Sequence, residues 1–491
     1  MDNVLRAGEV RTGFLTDGQH PDLVAASLTW TERGPELSVP GAPGRTQFEI
    51  VEDWFRRRRG GIDLLFTDDR GPVTLSDVRY AGHHGNEIRV TKATARNAIC
   101  QHPRQLPKST AEERLIRAIE TPFESSVLSV EELYSTVDGL ARFSGFGRIE
   151  VEETDPDHPE RISLTRDLNE KLTWTVDVDE LPSTLQYEVL RTTPWRENDD
   201  GVTVQNEVVV QTRWLGGNVQ PEILLWQQYP LRSLLVLAYS RPIQWRTHHV
   251  RGQSFPTTHR GTEETSWVPA FIADTAQGTF QDSAKLDMPL FGMQDLGPDG
   301  MQVWFERWLE DDSFRNPMQS AIEALSGFTR FLEPRVMLLI NTLEALGGWV
   351  TGDPHKRMSL AKAVENCARA SGGEWSNIGD AATDPEILIA RFLATLQNDL
   401  KHGQRGQRRS RRDLRFAERL SAALIRMTAL HEIPIDEDAA RYARASLVED
   451  VENELGQDEL ATIERPNGTD KNGDPKTITE GVLRRAAPSG T

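Results

Sequence analysis

The stretch VMLLINTLEAL, from Val336 to Leu346, is apolar on nearly every side of the helix that its spacing predicts. Such a helix is buried on all faces, so it belongs at the centre of a bundle. Further stretches repeat apolar residues every three or four positions, as amphipathic helices do; they lie at residues 301–309, 317–332, 358–370, 384–401 and 413–430. The sequence therefore predicts an all-α helical bundle over residues 299–454.

The preceding 298 residues predict strands instead. Short β-branched and aromatic runs alternate with Gly, Pro, Asn and Asp clusters, which is typical of antiparallel sheets; the runs lie at 24–31, 36–39, 46–51, 62–66, 73–75, 88–90, 127–130, 149–152, 172–178, 186–190 and 203–214. Ser129 with Glu132 three residues later predicts a short helix start within this region. The predicted fold class is α+β, with a sandwich-like β-rich region over residues 1–298 and a break between two subdomains near 110–125. Residues 455–491 are polar and rich in Gly and Pro, and they predict a disordered tail.

Composition excludes several functional classes. The 491 residues carry a formal net charge of −19, which argues against a protein that coats nucleic acid non-specifically, although a local basic patch could still bind it. No run approaches 18 apolar residues, and the first residues lack the apolar core of a secretory signal. Only Cys100 and Cys367 are present, too few for a disulfide framework or a cysteine-rich zinc site. We expect a soluble cytoplasmic protein without a metal, a cofactor or a membrane partner.

The sequence QNDLKHG, residues 397–403, is the sharpest candidate for chemistry. Asn398 and His402 are four residues apart and share one face of a helix, with Asp399 beside them. Gly403 is suited to the left-handed position that ends a helix. The helix dipole favours the protonated form of a histidine near the C-terminal end.

A basic stretch follows directly. Seven cationic residues fall within fifteen positions: Lys401, Arg405, Arg408, Arg409, Arg411, Arg412 and Arg415. On its own such a stretch is typical of a solvated loop and helix start. Beside His402 and Asn398 it is equally consistent with phosphate recognition. We therefore treat the first six of these residues as candidate RNA or phosphate ligands.

The segment resembles the signature of HEPN domains, in which an Arg, usually followed by Asn, lies five positions before a His near a helix end. The typical form RN-D-x-x-H-G is matched at Asn398, Asp399, His402 and Gly403. The stretch NTLEALGG at 341–348 resembles a helix of the ApeA-like HEPN family, and residues 304–308 with the following Asn-Pro at 316–317 resemble the entry to that domain. Weaker pieces at 8–14, 23–30, 72–77 and 125–146 extend the resemblance over most of residues 7–454.

The resemblance implies a metal-independent endoribonuclease in antiphage defence by abortive infection, with tRNA as the expected substrate. It also implies a homodimer with a composite site, and a β-rich region that responds to a phage-derived trigger. The chemistry suits RNA, which carries its own nucleophile in the 2′-OH. His402 would act as base or acid, and Asn398 would hold the histidine or the phosphate.

One position departs from the signature, because Gln397 occupies the place of the Arg. A neutral amide cannot grip a phosphate as a guanidinium does, and loss of one electrostatic stabiliser commonly costs about 2.7–4 kcal/mol of transition-state stabilisation. Three interpretations remain open. Lys401, Arg405 or Arg408 supplies the missing charge; the domain is a slow nuclease; or it binds RNA or a protein partner without cleavage.

Other candidates are weaker. His248, His249 and His259, with Glu263, predict polar loop residues rather than a metal site. His83 and His84 predict a turn, as does the run at 56–59 of four arginines, with phosphate binding as its alternative. The twelve tryptophans predict core packing; the alternative is a stacking groove in a β-rich protein that binds carbohydrate or peptide.

Overall fold

The structure is a computed structural model, which describes residues 3–4, 6, 8–31, 34–41, 45–57, 60–85, 89–101, 129–146, 150–153, 162–165, 170–177, 184–192, 195–198, 201–204, 207–253, 255–259, 262–272, 286–327, 329–355, 357–378, 384–402, 410–455, 461–469 and 475–483. The chain divides into two compact units. The first comprises Met1–Ala141, Phe146–Tyr229 and Gln244–Ser283; the second comprises Arg142–Gly145, Pro230–Ile243 and Ala284–Thr491. Strands build the first and helices dominate the second, which confirms the α+β class.

The first unit contains nineteen described strands. In chain order they are β1 (Val10–Thr16), β2 (Val24–Thr31), β3 (Gly34–Gly41), β4 (Ile62–Asp68), β5 (Gly71–His84), β6 (Arg89–Thr94), β7 (Asn97–Cys100), β8 (Glu132–Val137), β9 (Glu150–Glu153), β10 (Ile162–Thr165), β11 (Lys171–Asp177), β12 (Thr184–Thr192), β13 (Trp195–Asn198), β14 (Gly201–Val204), β15 (Glu207–Trp214), β16 (Trp245–Arg251), β17 (Pro256–His259), β18 (Thr262–Thr265) and β19 (Val268–Ile272).

Thirteen of these strands form one antiparallel sheet, in the order β11-β12-β15-β8-β16-β19-β7-β5-β4-β1-β2-β3-β6. The other six form three separate hairpins, β9–β10, β13–β14 and β17–β18. Strand β7 pairs with β19, with Ala98 opposite Phe271, so a single sheet joins the parts on either side of the break predicted near 110–125. Residues 110–125 themselves lie outside the described residues.

Six strands of the sheet close into a ring. The first part of β5 pairs with β4 and its last part with β6. Pairings then run from β4 through β1, β2 and β3 to β6. Side chains of a strand alternate between its two faces, and in β2 every second residue from Val24 to Trp30 is buried. These residues face a core that includes Leu15, Leu37 and Phe66.

The prediction of a strand at 46–51 is wrong. These residues belong to the helix α1 (Thr46–Glu52), which a π-helical turn at Asp53–Arg57 extends. Ile50, Val51 and Trp54 are buried in the core of the ring. Their spacing of three and four places them on one helical face, so this packing overrides the strand propensity of Ile and Val.

The helix start predicted at Ser129 is also wrong. Glu132 is instead the first residue of β8, where Arg251 on β16 and Gln211 on β15 both donate hydrogen bonds to its carboxylate. Strand β8 is paired on both sides. A ladder on each edge satisfies more backbone groups than a local cap does, which explains why the capping pattern does not start a helix here.

Of the remaining helices, α3 lies in the first unit, and the others lie wholly or mainly in the second. In chain order they are α2 (Leu140–Ser144), α3 (Pro221–Trp226), α4 (Tyr229–Tyr239), α5 (Met293–Glu310), α6 (Asp312–Leu325), α7 (Leu332–Trp349), α8 (Leu360–Ala370), α9 (Pro385–His402), α10 (Arg411–Ala429) and α11 (Glu437–Leu455). Most predicted helical stretches lie within α5 and α7–α10. The stretch at 317–332 runs past the end of α6, because Gly327 adopts a positive φ of 72°, a conformation that stops a helix.

Helix α7 packs among four helices of the second unit, but the prediction that it is buried on all faces is wrong, because Asn341, Glu344 and Ala345 form an exposed side. Its Leu339, Ile340, Leu343 and Leu346 are essentially inaccessible to solvent. The helix packs against α6, α8, α9 and α10. At Gly347 a Cβ atom would lie 2.4 Å from the Cα of Ala363 on α8, so only glycine permits this close approach of two helices.

The helical unit differs from the predicted boundaries at both ends. It includes α4, whose apolar residues are buried, and the indole Nε1 of Trp304 donates a hydrogen bond of 2.8 Å to the carbonyl of Pro230. Within the predicted disordered tail, the structure has a hairpin of β20 (Ala461–Thr469) and β21 (Pro475–Leu483). Both strands contain Thr and Ile, whose strand propensity the overall polar composition conceals.

Among the described residues, no helix combines the length and apolarity needed to cross a bilayer.

Candidate functional site

Helix α9 ends at the segment that the sequence marks out for chemistry. Along the helix, Leu388, Ile389, Leu393 and Leu396 are buried, and they face α8 and α7. The buried face stops at Gln397, one turn before the helix ends at His402. The last turn of α9 therefore passes from the core to the surface.

Gln397 lies on the core side of this boundary. Its side chain is 3% exposed, and its Nε2 donates a hydrogen bond of 2.8 Å to Oδ1 of Asn341. Asn341 lies on α7, in the NTLEALGG stretch, so the bond joins the two helices. A neutral amide suits this buried position because a charged group there would lose more hydration.

Asn398, Lys401 and His402 are exposed, whereas Asp399 is half-buried. Asn398 and His402 are one helical turn apart, and both therefore present polar atoms to solvent from one face. The structure thus separates the four predicted catalytic residues. Asn398 and His402 form an accessible pair, and Gln397 serves the packing of α9 on α7.

Helix α10 begins after the basic stretch with a reciprocal cap. The hydroxyl of Ser410 accepts a hydrogen bond of 3.0 Å from the backbone N–H of Asp413, whose carboxylate accepts one of 3.3 Å from the N–H of Ser410. Arg411 and Arg415 are exposed and four residues apart. They therefore add two accessible cations near the positive end of the helix dipole.

Arg412 is held differently from its neighbours. It is half-buried, and its Nη2 donates a hydrogen bond of 2.6 Å to the carbonyl of Leu455. Arg412 therefore fixes the end of α11, a role that its position in the basic stretch does not indicate. Gly403 and the predicted phosphate ligands Arg405, Arg408 and Arg409 lie outside the described residues.

The end of α9 and the start of α10 lie at the same end of the bundle. Phe392 of α9 and Phe416 of α10 pack with ring centroids 5.4 Å apart. Seven residues join His402 to Ser410, and a connection of that length favours an antiparallel pair. Lys401, His402, Arg411 and Arg415 therefore lie at one end of the bundle, and we call the surface that they form the α9–α10 end.

This surface presents three kinds of polar group. The imidazole of His402 is accessible and carries two ring nitrogens that donate or accept hydrogen bonds, the amide of Asn398 donates and accepts hydrogen bonds, and the cations attract anions. The position five residues before His402 is occupied by Gln397, so no guanidinium lies there.

The histidines predicted in a polar loop lie in a strand instead, and that prediction is wrong. His248 and His249 are in β16, and β16 pairs with β8. His248 is 4% exposed, and its Nδ1 lies 2.7 Å from Oγ of Ser135. Burial and then the neighbouring His249 lower the pKa of His248 to about 3. Burial also lowers the pKa of His249 to about 4, and its ring stacks on Tyr134 at 4.6 Å.

The remaining metal candidates do not join these histidines. His259 ends β17 and Glu263 lies in β18, on a separate hairpin. Over the described ranges, His, Cys, Asp and Glu side chains form no group of three that could hold a metal ion.

Two predicted turns also differ from the structure. His83 and His84 are the last residues of β5, where they pair with β6, because that strand continues past the turn-like Gly82. Of the four arginines at 56–59, the first two end the π-helical turn, and the last two lie outside the described residues.

Most tryptophans pack in the cores, as predicted. Eight of the twelve are buried: Trp30, Trp54, Trp174, Trp214, Trp245, Trp304, Trp308 and Trp375. Trp226 is exposed and stacks on Tyr229 at 5.0 Å. Among the tryptophans whose burial the structure describes, Trp226 alone is exposed, and one such ring does not form a stacking groove.

Sequence reasoning missed Asn341 as the partner of Gln397 and Leu455 as the partner of Arg412. The contacting residues are 56 and 43 positions apart in the chain, and no local pattern links them. The only available signal was that Gln397 directly continues the apolar face of α9.

Comparisons with known protein families, with characterised proteins and with solved structures find no match to this chain. The site is therefore interpreted from its own residues and from the resemblance of its sequence to the HEPN signature.

Proposed function

We propose that the α9–α10 end is an RNA phosphodiester site, and that this protein is a metal-independent endoribonuclease. The observation that carries the proposal is the exposed pair Asn398 and His402, one turn apart at the end of α9, next to accessible cations. The resemblance to the ApeA-like HEPN family supports the same reading, and it adds antiphage defence by abortive infection as the setting and tRNA as the first substrate to test.

In this proposal the chain's residues act directly on the RNA. His402 takes the proton from the 2′-OH as that oxygen attacks the adjacent phosphorus. Asn398 donates a hydrogen bond to the phosphate or orients the imidazole. The bond to the 5′-oxygen breaks, that oxygen receives a proton, and the products are a 2′,3′-cyclic phosphate and a 5′-hydroxyl.

The proposal includes a homodimer, because two helix ends would supply two histidines, one as base and one as acid. In the proposal, Lys401 and the arginines that follow it supply the positive charge that the Arg of the signature would provide. The β-rich unit is proposed to respond to a trigger that arises during infection.

A second function is RNA binding without cleavage. The burial of Gln397 favours it, since its amide is engaged with Asn341 and no guanidinium replaces it. Loss of one electrostatic stabiliser commonly lowers a catalytic rate by a factor of about 10²–10³, which would leave a surface that holds phosphates but cuts slowly.

One experiment distinguishes RNA cleavage from RNA binding alone. The purified chain is incubated with total tRNA in the presence of a chelator, and both product ends and complexes are analysed. Cleavage to 2′,3′-cyclic phosphate ends, which His402→Ala abolishes, supports the nuclease. Retarded but intact RNA, which is released by Lys401→Ala with Arg411→Ala, supports binding alone. Absence of both overturns the proposal.

A further inference from the structure

The helical unit contains a cavity of about 600 Å³, away from the α9–α10 end. Its wall is formed by the middle of α10, the face of α11 that packs on it, parts of α6 and α7, and residues 238–241 and 287–290. Cavities of this size lie within the usual range for small-molecule sites, about 300–1,000 Å³. The cavity is open to solvent on one side and large enough to hold a ligand the size of a metabolite.

Arg426 is the most buried charge in its wall. Its side chain lies within the core of the unit, its Nε donates a hydrogen bond of 2.6 Å to the carbonyl of Leu237, and its Nη2 donates one of 3.0 Å to that of Ala238. In the described part of the chain no carboxylate lies within ion-pair distance of this guanidinium, and its Nη1 donates no hydrogen bond. Burial lowers the pKa of Arg426 to about 10, so it is still protonated at neutral pH.

The charge of Arg426 is only partly balanced. Leu237 and Ala238 lie in the last turn of α4, where the helix dipole contributes about half a negative charge. A buried cation without a full counter-charge destabilises the protein that contains it. An anion in the cavity would restore the balance, and it would find the Nη1 group as a free donor.

Three arginines at the rim of the cavity each have a carboxylate partner. Arg335 pairs with Glu418 at 2.6 Å, and Arg241 lies 3.8 Å from Asp287. Arg419 pairs with Glu454, outside the cavity, at 3.0 Å. Asp450 is the one lining carboxylate that forms no ion pair among the described residues. It is exposed, and from beyond ion-pair distance it favours the protonated form of Arg426 without balancing that charge fully. The lining therefore has a net positive charge of one, with four arginines and three carboxylates.

An aromatic ring stands at the same rim. Tyr442 of α11 is 68% exposed. Such a ring provides a face for stacking, and nucleobases stack on aromatic side chains regardless of their identity. A phosphate-binding cation and a stacking ring thus line one cavity.

We propose that this cavity binds a mononucleotide, with the phosphate at Arg426 and the base against Tyr442. Arg419, at the mouth, adds a second contact to the phosphate. The inference concerns a site separate from the α9–α10 end, and it does not depend on the proposed nuclease activity.

Calorimetric titration of the full-length chain with AMP, ribose 5-phosphate and inorganic phosphate tests the proposal. AMP should bind more tightly than ribose 5-phosphate, and Tyr442→Ala should weaken AMP about 5- to 100-fold and remove that difference. Arg426→Met should weaken all three probes at least tenfold. Arg419→Ala, which changes an exposed side chain, should weaken all three several-fold even if Arg426→Met fails to fold.

Arg441→Ala is the matched control, because Arg441 is exposed beside Tyr442 and pairs with Asp438 at 3.2 Å, outside the cavity. It should leave AMP affinity unchanged. No AMP binding at millimolar concentration overturns the proposal, as does AMP affinity that is insensitive to Tyr442→Ala and Arg419→Ala. Loss of AMP binding in His402→Ala would place the nucleotide at the α9–α10 end instead, and would also overturn it.

Discussion

Two histidines of this chain, His248 and His402, have opposite surroundings. His248 lies in the middle of a sheet and is 4% exposed, with Ser135 as its partner. His402 ends α9 and is open to solvent. Both stood out in the sequence as candidate chemical groups. Residue type alone therefore does not identify a site, and accessibility decides which imidazole is able to reach a substrate.

The same contrast separates two neighbours on α9. Gln397 is buried against α7 and bonded to Asn341, whereas Asn398 is exposed. One residue further along the helix, the role changes from packing to possible catalysis. The departure from the HEPN signature at Gln397 thus lies at a position that has a structural function in this protein.

The largest expected effect is the acid sensitivity of the sheet unit. The folded state holds the pKa of His248 near 3, whereas an unfolded histidine titrates near 6.5. Between these values the unfolded chain binds more protons, so stability falls as the pH falls. From pH 7 to pH 4 this one group should lower the free energy of unfolding by about 3 kcal/mol.

Denaturant unfolding followed by intrinsic fluorescence at several pH values measures this effect. His248→Gln should flatten the pH dependence by about that amount, and His402→Gln, the matched exposed change, should leave it as it is. An equal pH dependence in the wild type and in His248→Gln would show that His248 is accessible in the folded state.

Next in size is the effect of Gln397→Arg on the helical unit. The larger, charged side chain would enter a buried position, at a cost of about 1–3 kcal/mol. Asn398→Arg, on the exposed face, should stay within about 0.5 kcal/mol of the wild type. Thermal unfolding of both variants gives the comparison. A stable Gln397→Arg protein that cleaves RNA ten times faster would contradict a packing role for this residue.

A smaller effect is expected for the bond between α9 and α7. In a double-mutant cycle, Gln397→Ala and Asn341→Ala should be coupled by about 0.5–1 kcal/mol, because the hydrogen bond is only partly buried. The measurement is the free energy of unfolding of the two single variants and the double variant. Additive effects within about 0.3 kcal/mol would mean that the bond does not contribute.

The smallest effect concerns single cations on the exposed side. Lys401→Ala or Arg411→Ala should each weaken RNA binding several-fold, and each should reduce the slope of log affinity against log salt by about one. Lys362→Ala on α8 is the control, because Lys362 is exposed but pairs with Glu365 at 3.1 Å. Filter binding at several salt concentrations tests this. An unchanged slope in both site variants would place the RNA elsewhere.

Periodicity in the sequence predicts much of this fold, because burial imposes it. Strand β2 has the predicted bounds, because its residues alternate between a buried face and a partly exposed face. The apolar stretch of α7 packs against four helices because most of its sides are apolar. The sequence did not predict helix α1, because Ile50, Val51 and Trp54 fit both the helical and the strand period over so short a run.

The site is predicted less completely than the fold. The pair Asn398 and His402 follows from helical spacing alone. Gln397 donates its hydrogen bond to Asn341, which is distant in sequence. Arg412 donates one to the carbonyl of Leu455 at the end of α11. Contacts of this kind arise from packing between helices, which one sequence does not reveal.

The central claim is that the exposed His402 performs RNA chemistry and the buried His248 does not. Single-turnover cleavage of tRNA in the presence of a chelator tests it most directly. We expect His402→Ala to cleave about 10²–10⁴ times more slowly than the wild type, with an unchanged melting temperature, and His248→Gln to cleave at the wild-type rate at neutral pH. A His402→Ala protein that cuts as fast as the wild type would contradict the account.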